Sequence, residues 1–317
     1  MKQPFRIVVC GTGFGRAWID AIVRCRRQYQ LVGVIARGSV RSREICIQYG
    51  IPLATSVNEV KASVDAAVVA IGGRAGEEVA NEWLRRGVPV ILEHPVGPKF
   101  ISNARRRGKK CVRLQINGHF CELPTVQRFI KICRACSKGK ETSTAAIIAT
   151  PRTLYSCLDI ALALLPPGDL VNIRFRRGDL DALGNPEYYL GSLRLKVSLM
   201  ASTSVADDAA GSLGGHFVQL WLSDQRITLL GPTGPIVSLS TFARRRATWI
   251  LQGGSTASSW NKYCVEHRPK ALIAALDRLV RNSPKASFRN QLHRHLLVAK
   301  IWDDVLRSRN VIRSESS

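Results

Sequence analysis

Over its first 120 residues the chain alternates short apolar runs with amphipathic stretches. Phe5–Cys10 (FRIVVC) is mostly apolar and lacks a two-residue alternation, the pattern of a strand covered on both faces. Residues 31–36 (LVGVIA), 65–71 (DAAVVAI), 88–92 (VPVIL) and 111–116 (CVRLQI) repeat it, and 52–54 make a shorter piece. Between them, helical spacing is read over 17–26, 41–50, 77–86 and 102–107, with Gly50 and Gly87 as stop signals. Strand and helix in strict turn predict a doubly wound parallel sheet, whose ligands bind at the carboxyl ends of the strands.

From Cys121 the rhythm changes. A helix over 123–137, a strand over 142–150 and a helix over 154–165, stopped by Pro166 and Pro167, are followed by strands at 171–177, 192–202, 216–222, 226–230 and 236–241. Consecutive strands without intervening helices predict an antiparallel sheet. Residues 206–215, small and glycine-rich, are expected to form a mobile loop, and helices over 270–281 and 288–307 close the chain. The expected fold class is α/β: a Rossmann domain at 1–120, then an α+β substrate and oligomerisation domain at 121–317 with a mainly antiparallel sheet.

Composition adds limits. At 317 residues and 45% hydrophobic content the chain can bury a large core. No apolar run is long enough to span a bilayer, and the first one ends in glycines, unlike a secretory leader, so a cytoplasmic location is expected. The 47 basic and 23 acidic residues give a net charge of +24, which favours anionic partners. The basic clusters at 105–107 and 244–246 are not interleaved with aromatics, as a single-strand nucleic-acid binder would require, and they read as a solvated surface. Nine cysteines are irregularly spaced; Cys10 and Cys157 sit in apolar runs as buried thiols, and the Cys133/Cys136 pair has no second pair or ligating histidine, so no metal site is expected.

The candidate chemistry begins directly after the first strand, at GTGFGR: Gly11, Thr12, Gly13, Phe14, Gly15 and Arg16. A strand, a glycine turn and a helix start make a dinucleotide cradle. Gly11 permits the turn, Gly13 lets a diphosphate approach bare backbone, and the helix start offers free N–H groups. The third fingerprint glycine is replaced by Arg16, with Gly15 one place early. After the second strand, where an acid would hold the ribose of NAD, stand Arg37, Ser39, Arg41 and Arg43. Guanidinium and hydroxyl groups suit an additional phosphate, so the expected cofactor is NADPH. Further strand ends carry Gly72 and Gly73, then Glu93 and His94, then residues 117–120 (NGHF). The glycines and Glu93 are expected around ribose and nicotinamide, and His94 is the first candidate for a general acid.

Alternating elements, the Glu93-His94-Pro95 motif and a strand-rich second half resemble the glucose–fructose oxidoreductase and inositol dehydrogenase superfamily, in which a lysine usually occupies the place of His94. The segments 11–22, 31–45, 49–56, 86–98 and 152–165 are similar to the thiazolinyl imine reductases of siderophore assembly, closely in the first half and loosely in the second. That resemblance implies NADPH-dependent reduction of a thiazoline C=N to a thiazolidine on the carrier domain of a nonribosomal peptide synthetase, with His94 protonating the nitrogen. A tyrosine that the family offers as an alternative acid aligns with Phe120, which has no proton to give; the neighbouring His119 is the substitute candidate. Tyr155 and Asp159 match residues on the family's cleft helix and are expected to hold the substrate or shape its pocket. A basic rim suits an acidic carrier domain, and an exposed second-domain sheet suits a homodimer. The alternatives are a sugar or cyclitol dehydrogenase of the same superfamily, or a non-catalytic NADP-binding or nucleic-acid-binding protein.

Overall fold

The computed structural model describes residues 3–106, 113–139, 143–166, 173, 175–180, 185–199, 216–240, 247–251, 262–281 and 285–315. Arg107, Cys111, Pro167, the expected mobile loop at 206–215 and the basic cluster at 244–246 lie outside them. The chain divides into two compact units, Met1–His119 with Arg268–Leu296, and Phe120–His267 with Leu297–Ser317. Residues 268–296 therefore cluster with the first unit, whereas the sequence pattern assigns everything after 120 to the second.

The first unit holds β1 (Phe5–Cys10), α1 (Gly15–Arg24), β2 (Tyr29–Ile35), α2 (Val40–Tyr49), β3 (Leu53–Ala54), β4 (Ala66–Val69), α3 (Gly73–Arg85), β5 (Val90–Leu92), α4 (Pro98–Arg106) and β6 (Leu114–Ile116). Their six strands are all parallel in the order β3-β2-β1-β4-β5-β6, the Rossmann arrangement. β1 and β4 at its centre are buried, which is why their sequences run apolar without alternation. Arg6 fastens the start of one to the other: its backbone N–H donates to Asp65 Oδ2 at 2.7 Å and its guanidinium to both carboxylate oxygens at 3.1 and 3.0 Å.

Two of the boundary shifts from the sequence reading have a local physical reason. β5 starts at Val90 rather than 88, because Pro89 has no N–H to give a ladder and Val88 instead donates to Trp83 O at 3.1 Å, closing the turn from α3. α3 begins at Gly73 rather than 77, with Gly76 inside it. A Cβ on Gly76 would stand 2.0 Å from Ile71 O, so this glycine is where the helix approaches the end of its strand most closely.

Helix α7 (Arg268–Val280) completes the first unit. Its Leu272, Ala275, Leu276 and Leu279 are buried in the same core as Ile7, Val9, Trp18 and Ile22. Tyr29 on β2 donates its hydroxyl to Asp277 on α7, and burial together with that carboxylate pushes the phenol up.

The second unit holds α5 (Pro124–Ser137), β7 (Ser143–Ala149), α6 (Leu154–Leu162) and strands β8 (Phe175–Leu180), β9 (Pro186–Leu190), β10 (Leu193–Leu199), β11 (His216–Trp221), β12 (Gln225–Leu230), β13 (Ile236–Ser240) and β14 (Ala247–Leu251). The long terminal helix α8 (Lys285–Glu315) enters it from Leu297 onward. The sheet runs β14-β13-β12-β11-β7-β10-β9-β8 and is antiparallel except at the β7–β10 pair, which is parallel. Strands β9 and β14 are absent from the sequence expectation. β9 opens on a proline and carries Glu187, which is buried but ion-paired with Arg194 and with Lys196 at 3.0 Å, so its charge hides a strand. Along β7, β10 and β11 alternate side chains are buried. The opposite face carries cations laid over aromatic rings. Arg176 and Arg194 lie over Tyr189 at 5.0 and 5.9 Å, and Lys196 and Arg226 over Trp221 at 5.9 and 5.0 Å.

Candidate active site

The glycine turn is built from the end of β1. Gly11 has φ +91°, its N–H donates to Ile35 O at 2.7 Å, and a Cβ there would meet Ala70 O at 2.8 Å. Only glycine suits this position. Gly13 is exposed, and a Cβ there would meet nothing within 4 Å, so the backbone borders open space. Gly15 is buried and opens α1; its Cβ would press on Val9 Cγ1 at 3.2 Å. It therefore performs the helix-to-strand packing that the fingerprint gives to its third glycine, and Arg16 in that place is exposed. Phe14 caps α1 without a side-chain hydrogen bond, and no acid stands in the first turn. Such a helix start has N–H groups for an anion and no competing carboxylate, so the turn fits a diphosphate.

Arg37, Ser39, Arg41 and Arg43 are all exposed and follow β2 directly or open α2. Ser39 is the helix cap, its Oγ accepting from Ser42 N at 3.3 Å. Arg43 Nε donates to Gly38 O at 2.8 Å and braces the loop. Gly72 caps α3 and Gly73, at φ +65°, is its first residue; neither Cβ would meet a neighbour.

The ends of β5 and β6 bring together Glu93, His94, Asn117 and His119. Asn117 Nδ2 lies 2.7 Å from Glu93 Oε2 and 3.1 Å from His119 Nδ1. The other carboxylate oxygen, Oε1, is 3.7 Å from His94 Nε2, and the Glu93 and His94 side chains are only 11% and 13% exposed. Burial pushes the Glu93 carboxyl up to about 7, against the pull of the Asn117 amide, the Trp18 indole and the His94 backbone N–H. The donor atoms of Glu93, His94 and His119 lie within 4.8 Å of one another. The His119 ring rests 5.5 Å from that of Phe14, and the Arg268 guanidinium from α7 lies over the Phe14 ring, 6.0 Å from its centroid. The acid cluster is thus in contact with the glycine turn.

Tyr155 belongs to the second unit. It is buried on α6, whose residues are all inaccessible, with its ring edge-on to Trp302 at 6.3 Å. Asp159 on the same helix accepts from the Cys121 thiol at 3.2 Å. The Phe120 ring lies tilted against His216 at 4.6 Å and stacks on Tyr263 at 6.3 Å. His216 in turn lies 2.7 Å from Ser156 Oγ. Cys133 on α5 is buried, and burial raises its thiol well above the ordinary range, which makes it a poor thiolate. Among the described residues, Asn117, Gly76 and Arg268 bear on the site without having been singled out for a role by the sequence. Asn117 had a signal, a polar residue at a strand's carboxyl end; the other two act through contacts that have none.

Residues 5–113 match the family model described as oxidoreductase family, NAD-binding Rossmann fold, known as Gfo/Idh/MocA. No curated protein matches the sequence. Solved structures similar to the chain include an oxidoreductase from Agrobacterium radiobacter in complex with NAD+, L-tartaric acid and magnesium, at 12% identity and TM-score 0.65, covering 93% of this chain and 94% of that one. A 3-ketoreductase from Actinomadura kijaniata in complex with NADP and TDP-benzene is similar at 15% identity and TM-score 0.64, covering 93% and 96%. A putative NADPH-dependent oxidoreductase from Desulfitobacterium hafniense is similar at 11% identity and TM-score 0.65, covering 94% and 95%. At these identities the likeness is one of fold, and it extends through both units. No described helix is long and apolar enough to cross a membrane.

Proposed function

We propose that this chain, whose residues 5–113 match the NAD-binding Rossmann family model of the Gfo/Idh/MocA oxidoreductases, reduces a thiazoline C=N to a thiazolidine with NADPH. The observation that carries the reading is the pair of imidazoles, His94 and His119, gathered around Glu93 where the superfamily usually has a lysine. Two such groups suit a weakly basic nitrogen that must gain a proton near neutral pH.

The backbone of Gly11, Gly13 and Phe14 would hold the diphosphate, and Arg37, Arg41 and Arg43 with the Ser39 hydroxyl the additional phosphate. When bound, the reduced nicotinamide supplies the hydride. His94 donates the proton from Nε2 to the substrate nitrogen. Glu93, whose Oε1 lies 3.7 Å from that same Nε2 and whose carboxyl is raised to about 7, returns a proton to it. The substrate remains a thioester on a carrier domain of a peptide synthetase, whose acidic surface the net charge of +24 would attract.

A carbonyl would use the same donor, and the similar 3-ketoreductase acts on a ketone, so reduction of a sugar ketone is the second reading. Oxidation of NADPH and of NADH is to be followed with a carrier-bound thiazoline and with a panel of keto-sugars. Turnover of the thiazoline with a preference for NADPH is expected. Turnover of a keto-sugar alone would replace this reading with the second one.

A further inference from the structure

Asn117 is fully buried and its two amide hydrogens are both committed, one to Glu93 Oε2 at 2.7 Å and one to His119 Nδ1 at 3.1 Å. The reverse orientation would aim the amide oxygen at a carboxylate oxygen. Its Oδ1 makes no hydrogen bond among the described residues, so the orientation is dictated by the two N–H groups. Since His119 Nδ1 accepts, the neutral ring must carry its proton on Nε2.

We propose that Asn117 is a positioning residue that, anchored on Glu93, fixes His119 as the Nε2–H tautomer and so equips it to serve as the site's second hydrogen-bond donor toward the substrate nitrogen, in place of the hydroxyl that Phe120 lacks. The tautomer follows from the hydrogen bonds alone; the donor role rests on the reductase reading above. The arrangement is held from both sides. Glu93 is fixed at the end of β5 by its N–H to Val69 O at 2.9 Å, and Asn117 at the end of β6 by its N–H to Leu92 O at 2.8 Å. Around the ring stand Phe14 from the glycine turn, and, on Glu93, His94 and Trp18.

The test reads the tautomer directly. Two-bond nitrogen–proton correlation spectra of the whole protein, recorded above the titration of Glu93, are expected to place the His119 proton on Nε2. In Asn117→Asp the new carboxylate accepts instead of donating, and the proton should move to Nδ1. A wild-type ring protonated on Nδ1, or an Asn117→Asp ring left on Nε2, overturns the positioning role. With carrier-bound thiazoline, Asn117→Asp should lose at least about tenfold in kcat while its NADPH Kd stays within about twofold. An unchanged kcat overturns the donor role. If wild-type protein leaves the thiazoline untouched, the reductase reading fails while the spectra still decide the tautomer. Should Asn117→Asp not fold, the wild-type spectrum decides the tautomer, and His119→Gln, expected to lose kcat to the same extent, decides the donor.

Discussion

Gly11 and Gly13 occupy one turn but answer to different demands. Gly11 is required by the protein itself, through its φ of +91° and the Ala70 carbonyl 2.8 Å from any Cβ. Gly13 has ordinary backbone and open space, so only a ligand would object to a methyl group there. Gly11→Ala is expected to cost about 1–3 kcal/mol of stability. Gly13→Ala should leave stability within about 0.5 kcal/mol and weaken nucleotide binding instead. Thermal unfolding beside nucleotide titration separates the two. Glu93 makes a second prediction. A carboxyl raised to about 7 stabilises the fold relative to its ionised form below about 4.5, and that advantage is lost as pH climbs through 7. Glu93→Gln should therefore flatten the pH dependence and gain on the wild type above neutrality, by an amount on the order of 3 kcal/mol at most. Unfolding curves across that pH range check it. At this scale the first two glycines were legible because turn chemistry is local. The packing role of Gly15 and the partnership of Glu93 with Asn117 were not, because each depends on a side chain brought in from another strand or helix.

Among the elements, α7 has the largest unforeseen part. Its amphipathic pattern identified a helix, but nothing within residues 268–280 names the surface it covers, which comes from α1 and β1 far back in the chain. Leu276 is fully buried in that core, so Leu276→Ala should destabilise the Rossmann unit by about 2–5 kcal/mol, read as a fall in unfolding temperature. A fragment of residues 1–119 should likewise fail to give a sharp thermal transition, since it lacks α7. The parallel strands were legible because full burial leaves an unbroken apolar run. β9 was hidden because Glu187, on the same sheet face as Arg194 and Lys196, is neutralised by those cations on the next strand, a compensation that no single-strand pattern records. The parallel pair in the second unit's sheet, β7 with β10, was equally hidden: pairing direction depends on where the intervening chain crosses, not on either strand.

For the molecule as a whole, the excess of cations looked dispersed along the sequence, with no aromatics between them. Strand pairing interleaves them. Arg176 faces Tyr189, Tyr189 faces Arg194, and Trp221 faces Arg226, across neighbouring strands. Guanidinium groups over these rings keep their N–H edges available for carboxylates while occupying the aromatic faces that bases would stack on. If the carrier-domain reading holds, kcat/KM with carrier-bound substrate should fall as salt is raised, while a small thioester analogue should be nearly insensitive. Parallel assays over a salt series give the comparison, and equal sensitivity would count against a carrier partner.

Phe14 belongs both to the phosphate-binding turn and to the wall beside His119, 5.5 Å from ring to ring. A loaded cradle therefore cannot resettle without altering the magnetic environment of that imidazole. Its ring-current-shifted protons should act as a built-in reporter of nucleotide occupancy, moving on addition of NADPH before any substrate is present. Phe14→Leu should silence the reporter and leave the turn's own amides in place.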